Sequence, residues 1–237
     1  MQDWQIGKVV NIINETPNTR RYFIAAASAE PFQFKPGQFV TLDLPIHEKK
    51  NKRWRSYSIA SAPNDSNIFE LVIVLVEDGM GTPYLFENIE IGAEISFRGP
   101  VGVFVLPEII EHDYFMICTG TGIAPFRSMV HHIQTQHIQT KNIHIICGTR
   151  TQQDLLYFEE LKNLEKTLPN FTYTPVLSRE KWEGETGYVH EVYTALCKGN
   201  ADAQFMLCGW KNMIDDARNN LSALGYDKKQ IHFELYG

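Results

Sequence analysis

No stretch of the sequence approaches the run of about 18 apolar residues that a membrane-spanning helix needs, and LVIVLV at 71–76 is only a strand's length. No CxxC pair occurs among Cys118, Cys147, Cys197 and Cys208, which argues against a zinc knuckle, a bacterial iron–sulfur run or a secreted disulfide framework. The eight histidines show no HExxH or comparable spacing, so they read as surface or satisfied core residues and no metal site is expected. A basic excess is also missing. Lys+Arg number 22 against Asp+Glu 28, a net charge of −6, and bulk attraction to nucleic acid is not suggested. The opening MQDWQIGKVV carries charge and polarity where a signal peptide needs an apolar centre. Repeats and low-complexity linkers are absent. The expectation is a reduced, soluble, cytoplasmic protein that binds neither membrane nor nucleic acid.

What is present is an ordinary globular balance, 43% apolar and 21% charged over 237 residues, enough for two modest domains or one large one. The first ~105 residues read as short strands between turns. QIGKVVNIINE, RRYFIAA, QFVTLDL, RSYSIAS, NIFELVIVLV and AEISFRG carry β-branched and aromatic residues, often alternating. Pro36-Gly37, Ala62-Pro63-Asn64-Asp65 and Gly99-Pro100 punctuate them. A single helical piece, PYLFENI at 83–89, interrupts the series. Antiparallel strands at this spacing close into a barrel, because closure removes exposed edges.

From about Glu108 the rhythm changes. Apolar strands at 114–118, 143–147, 171–176 and 204–208 alternate with helical stretches near 123–137, 152–167, 187–197 and 211–224. That alternation predicts a parallel sheet covered by helices on both faces. The fold class is therefore two-domain, an antiparallel β-barrel over 1–107 followed by an α/β parallel-sheet domain over 108–237. The stripe Leu155, Leu156, Phe158, Leu161 and Leu164 reads as core packing.

Five pieces carry chemistry. TGTGIAPFRSM at 119–129 follows a strand and opens a helix, so Gly120 and Gly122 leave bare backbone where free helix amides point. That is a pyrophosphate site or a plain tight turn. RSYS at 55–58 offers an arginine that can clamp a phosphate, with Tyr57 and Ser58 facing opposite ways, or is an ordinary strand. GMGTPYL at 79–85 is a helix start suited to an anion, or a loop. CGWKNM at 208–213 ends the last apolar strand, where Cys208 could be a small buried hydrophobe. FELYG at 233–237 puts a carboxylate and an aromatic at the chain end, the usual place for frayed residues.

Taken in order, these pieces resemble the plant-type ferredoxin–NADP(+) reductase family along the whole chain. RSYSIAS is similar to that family's flavin motif, GTGIAPFRS to its pyridine-dinucleotide motif, CGWKNM to its CGxKxM, and Glu234-Leu235-Tyr236 to its terminal E-x-Y. The resemblance implies FAD in the barrel, with Arg55 on the diphosphate, Gly81 and Thr82 assisting from the helix start, and Ser56 within the motif. It implies Tyr57 on one face of the flavin ring, Ser58 near its N5 atom, and Tyr236 over the other face, displaced when nicotinamide enters. Gly120, Thr121, Gly122 and Pro125 would face the dinucleotide, and Cys208, Gly209 and Glu234 would border the nicotinamide. Ser58, Cys208, Glu234 and Tyr236 would be the catalytic set.

A 2′-phosphate needs cationic neighbours. Arg150 follows the second parallel strand and Ser178-Arg179-Glu180 the third. The resemblance puts that phosphate on the S-R-E formed by Ser178, Arg179 and Glu180, and adenine on Tyr188, so NADPH is expected, with NADH as the alternative. No second aromatic is evident to pin the adenine of FAD, which leaves FMN open. Gly237 follows the aromatic where the family usually ends on it. No ferredoxin-type cysteine set is appended, so an iron–sulfur partner would be a separate ferredoxin, or a flavodoxin in its place. The basic run Lys49, Lys50, Lys52, Arg53 and Arg55 could steer such an acidic carrier or be a solvated hairpin. Other readings are a flavin reductase, an oxygenase reductase component, or a flavin-binding electron-transfer subunit or sensor without turnover.

Overall fold

The computed structural model describes residues 3–28 and 30–236. It divides into two compact units, the first running to Val105 and taking in Arg127–His132, the second holding Leu106–Phe126 and the chain from Ile133 onward.

The first unit contains β1 (Gln5–Thr16), β2 (Thr19–Ala26), β3 (Phe39–Asp43), β4 (Trp54–Ser58), β5 (Ile68–Val74), helix α1 (Gly81–Asn88) and β6 (Glu94–Val101). All pairings are antiparallel, in the order β4-β3-β6-β1-β2-β5. The two ends of that order meet. Ile59 bridges Leu71, and the Ala60 amide donates to the Glu70 carbonyl at 2.8 Å. The sheet is thus closed into the expected barrel, the arrangement in which strand edges pair with one another.

Alternation fills the interior: Phe69, Leu71 and Ile73 of β5 meet Val40, Leu42, Tyr22, Ile24 and Phe97, all buried. Helix α1 adds Leu85 to this core, and the Tyr22 hydroxyl donates to the Leu85 carbonyl at 3.0 Å. Glu70 alternates away from the apolar set yet is also buried. Arg21 grips both of its oxygens at 2.6 and 3.2 Å, and Arg127, within the same unit, donates to it at 3.0 Å. A buried carboxylate requires such partners.

The second unit contains β7 (Asp113–Thr119), α2 (Ile123–Thr135, whose Arg127–His132 segment groups with the first unit), β8 (Ile143–Thr149), α3 (Phe158–Thr167), β9 (Phe171–Leu177), β10 (Glu185–Thr186), α4 (Val189–Cys197), β11 (Ala203–Trp210), α5 (Lys211–Ala223) and β12 (Ile231–Tyr236). Every pairing is parallel, in the order β10-β9-β8-β7-β11-β12. Phe115, Ile117, Ile146, Phe205 and Leu207 pack in one buried cluster with Val189, Tyr193 and Cys197 of α4 and Ile214, Ala217 and Leu221 of α5.

Three features depart from the sequence expectation. The helical stretch at 152–167 begins only at Phe158, because Tyr157 takes a left-handed conformation (φ 55°) that no right-handed helix can pass through. Residues 152–154 instead form a short 3-10 turn capped by Thr151 and Asp154. The chain end is not frayed up to Tyr236, since residues 231–236 form a parallel strand beside β11. Nor is every histidine satisfied: the ring of His144 stacks on Phe115 at 4.9 Å, and its buried Nδ1 has no hydrogen-bond partner. Gly237, singled out in the sequence, lies outside the described residues. Among the described residues no helix is long and apolar enough to cross a membrane, and no cluster of His, Cys, Asp and Glu could hold a metal ion.

Candidate functional site

In the barrel, strand alternation puts Arg55 and Tyr57 on one face of β4. The Arg55 guanidinium is anchored by donating to the carbonyls of Lys52 at 3.1 Å and Trp54 at 2.8 Å. Its stem crosses Gly81 so closely that a Cβ there would stand 3.0 Å from Arg55 Cγ and Nε. Gly81 opens α1, whose first amides have no intrahelical acceptor. A fixed cation therefore lies against free helix amides, which suits an anionic diphosphate.

Thr82 spends its hydroxyl on the neighbouring loop, accepting from the Val76 amide at 2.8 Å and donating to the Val76 carbonyl at 3.3 Å. Tyr57 is half-buried against the barrel core. Burial pushes its phenol well above the ordinary range against the opposing pull of Arg55, so the ring stays neutral. The Ser56 hydroxyl is exposed and 3.0 Å from that of Thr41, while Ser58 is buried.

In the second unit the sheet order reverses between β7 and β11: the chain steps outward from β7 to β8 and β9, then returns to the other side of β7. The carboxyl ends of strands flanking such a reversal form a ligand crevice. Here Gly120 turns with φ +52°, open space around it, and Gly122 is pressed against β11. A Cβ on Gly122 would lie 2.3 Å from the Cys208 carbonyl oxygen, and one on Gly209 (φ +133°) would lie 2.6 Å from Thr119 Oγ1. Only glycine fits at either place. Thr121 is partly exposed beside them, whereas Pro125 is buried in the first turn of α2.

Parallel register puts Cys208 opposite Glu234, and Trp210 opposite Tyr236. Burial drives the Cys208 thiol far up, the Glu234 charge adds to the rise, and a hydrogen bond with Tyr236 works against it. Cys208 is therefore a thiol, not a thiolate, at any ordinary pH.

Further along the same sheet, the Ser178 amide and hydroxyl both donate to the Thr149 carbonyl, at 3.0 and 3.1 Å, and the Arg179 amide donates to the Arg150 carbonyl at 2.9 Å. Both arginines are exposed at the carboxyl ends of β8 and β9, and Tyr188, which is 67% exposed, sits at the start of α4. Two residues of this geometry escaped sequence reasoning. In the sequence Thr119 shows only as the first residue of TGTGIAPFRSM, and Glu180 only as the acidic neighbour of Ser178-Arg179. Their contacts reach across the fold, which spacing along the chain does not reveal.

Two family models cover most of the chain: an oxidoreductase FAD-binding domain over residues 7–106 and an oxidoreductase NAD-binding domain over 116–219. The chain is 33% identical over 230 residues to ferredoxin–NADP reductase B of Sorangium cellulosum, covering 93% of each. It is 31% identical over 229 residues to the anthranilate 1,2-dioxygenase electron transfer component of Acinetobacter baylyi, covering 96% of this chain but only 65% of that one. A crystal structure of a ferredoxin NADP+ reductase from Neisseria gonorrhoeae with bound FAD and NADP superposes with a TM-score of 0.84, at 26% identity over 99% of both chains. A closed antiparallel barrel with an anion cradle, followed by a parallel sheet with a glycine-lined crevice, defines a flavin- and dinucleotide-binding oxidoreductase. The chain belongs to the ferredoxin reductase-type family of FAD- and NAD-binding flavoprotein reductases.

Proposed function

We propose that this protein is a plant-type reductase that oxidises NADPH and passes electrons one at a time to a separate ferredoxin- or flavodoxin-like carrier. Residues 1–107 would hold FAD and residues 108–237 the dinucleotide. Bound flavin supplies the chemistry, since it accepts a hydride from nicotinamide and can release its two electrons singly. The chain's own residues bind, orient and exclude water. Arg55, Gly81 and Thr82 would hold the flavin diphosphate, Tyr57 would offer its ring as a stacking surface, and Ser58 would set a buried hydroxyl near N5. Ser56, engaged with Thr41, would hold the strand in register.

Gly120, Thr121, Gly122 and Gly209 would let the dinucleotide backbone approach, with Pro125 shaping the helix start beneath. Cys208, Glu234 and Tyr236 would border the nicotinamide. A neutral thiol and a carboxylate there can follow charge as it shifts without becoming a competing nucleophile.

The observation that carries the choice of NADPH is the Arg179–Arg150 backbone bond, which brings two exposed arginines together at neighbouring strand ends. Arginine side chains suit a 2′-phosphate, and the ribose hydroxyl of NADH has no use for them. Ser178 and Tyr188 would complete that pocket at the phosphate and the adenine. Arg179→Ala should raise KM for NADPH at least tenfold while changing KM for NADH less than twofold. Equal losses for both nucleotides would remove the NADPH reading.

A second reading, an oxygenase reductase component, is favoured by the kinship with a dioxygenase electron transfer component of which this chain spans 65%. The two differ in acceptor, so the carrier that is reduced fastest over its background rate separates them.

A further inference from the structure

We propose that Glu180 is the positioning residue for nucleotide selection: it braces the two arginines for a 2′-phosphate and does not repel one. The inference rests on the NADPH reading above and names a residue to which that reading assigns no separate role. By charge alone Glu180 is out of place, because a carboxylate next to Arg179 would weaken an anion site by neutralising its cation. The geometry points elsewhere. Glu180 Oε2 accepts from the backbone amide of Gln152 at 2.8 Å, across 28 positions of sequence. Gln152 opens the 3-10 turn that follows Arg150, and its amide is the first of that turn. Thr151 and Asp154 already occupy each other: the Thr151 amide and hydroxyl donate to Asp154 Oδ2 at 3.1 and 2.9 Å. That leaves the Gln152 amide to Glu180.

The consequence is a closed stitch between the ends of β8 and β9. Thr149 is tied to Ser178, Arg150 to Arg179, and Gln152 to Glu180. Among the described residues neither Arg150 nor Arg179 has a side-chain ion pair or hydrogen bond. The carboxylate closest in sequence is turned onto a backbone amide, so both guanidinium groups stay available to an incoming anion while their backbones are fixed.

The test uses the flavin-loaded protein with steady-state KM for NADPH and NADH, comparing Glu180→Ala with Glu180→Gln. Glutamine keeps an acceptor oxygen for the Gln152 amide but carries no charge. An exposed brace of one hydrogen bond predicts that Glu180→Ala raises KM for NADPH roughly three- to tenfold, about 0.7–1.4 kcal/mol, and leaves NADH within twofold. Glu180→Gln should restore the NADPH value to the parent's or below it. If both variants lower KM for NADPH, Glu180 is a repulsive filter against the phosphate and the proposal is overturned. Loss for both nucleotides alike, or a Glu180→Ala variant with parent-like KM for NADPH, overturns it too. Failure of the NADPH reading itself shows separately, as an unmodified protein that prefers NADH and an Arg179→Ala variant that loses both nucleotides equally.

Discussion

Gly122 and the carbonyl of Cys208 approach so closely that a single methyl group on the glycine would stand 2.3 Å from the oxygen. Backbone, unlike a flexible side chain, cannot step aside. Gly122→Ala should therefore cost about 1–3 kcal/mol of stability by overpacking and raise KM for the nicotinamide nucleotide more than tenfold, with FAD content unchanged. Gly81→Ala meets only the movable stem of Arg55 at 3.0 Å, so it should fold normally and lose FAD affinity roughly tenfold, about 1.4 kcal/mol. Thermal melts with flavin titrations of both variants check the contrast. Equal FAD loss in the two would dissolve the distinction between the cradles.

Acid should destabilise the protein through His144. Burial lowers its pKa from 6.5, more than the charge of Asp113 raises it, so the folded state binds this proton less readily than the unfolded state. A depressed folded pKa gives stability that is complete above pH 6.5 and declines as the pH falls below it. Burial acts in the same direction on His132 and His190. Replacing His144 by Phe keeps a ring to stack on Phe115 and should flatten, without abolishing, the loss of Tm between neutral pH and pH 5. An unchanged acid limb would show that His144 does not contribute.

The barrel was legible in the sequence and parts of the sheet domain were not, for reasons that differ residue by residue. NIFELVIVLV shows its strand because Phe69, Leu71 and Ile73 must alternate inward to fill a closed barrel. Strand β12 gives no such signal: it is an edge, and after Ile231 its residues are exposed or half-buried. The stripe from Leu155 to Leu164 reads as one helix, but a left-handed Tyr157 has no compositional signature. The glycines of TGTG stood out at once, whereas the reason for Gly122, the Cys208 carbonyl 86 positions away, exists only in three dimensions.

The exposed turn bearing Lys49, Lys50 and Lys52 gives the carrier proposal its sharpest handle. Within the sequence's basic run, Arg53 is already paired with Asp43 at 2.7 Å, and Arg55 is anchored to carbonyls, so the three lysines are the free charges for steering. Changing all three to Glu should slow reduction of an acidic carrier at low salt roughly tenfold and leave a small dye acceptor untouched. Stopped-flow rates against ionic strength decide it, and parent-like carrier rates at low salt would exclude this surface.

The most direct measurement of the central claim is an anaerobic titration of the purified, FAD-loaded protein, following the flavin absorbance band while NADPH and NADH are added in turn. The expected result is a yellow protein with tightly held FAD that bleaches stoichiometrically with NADPH and only at far higher concentration with NADH. A protein that takes up no flavin, or a bound flavin that neither nucleotide reduces, would contradict it.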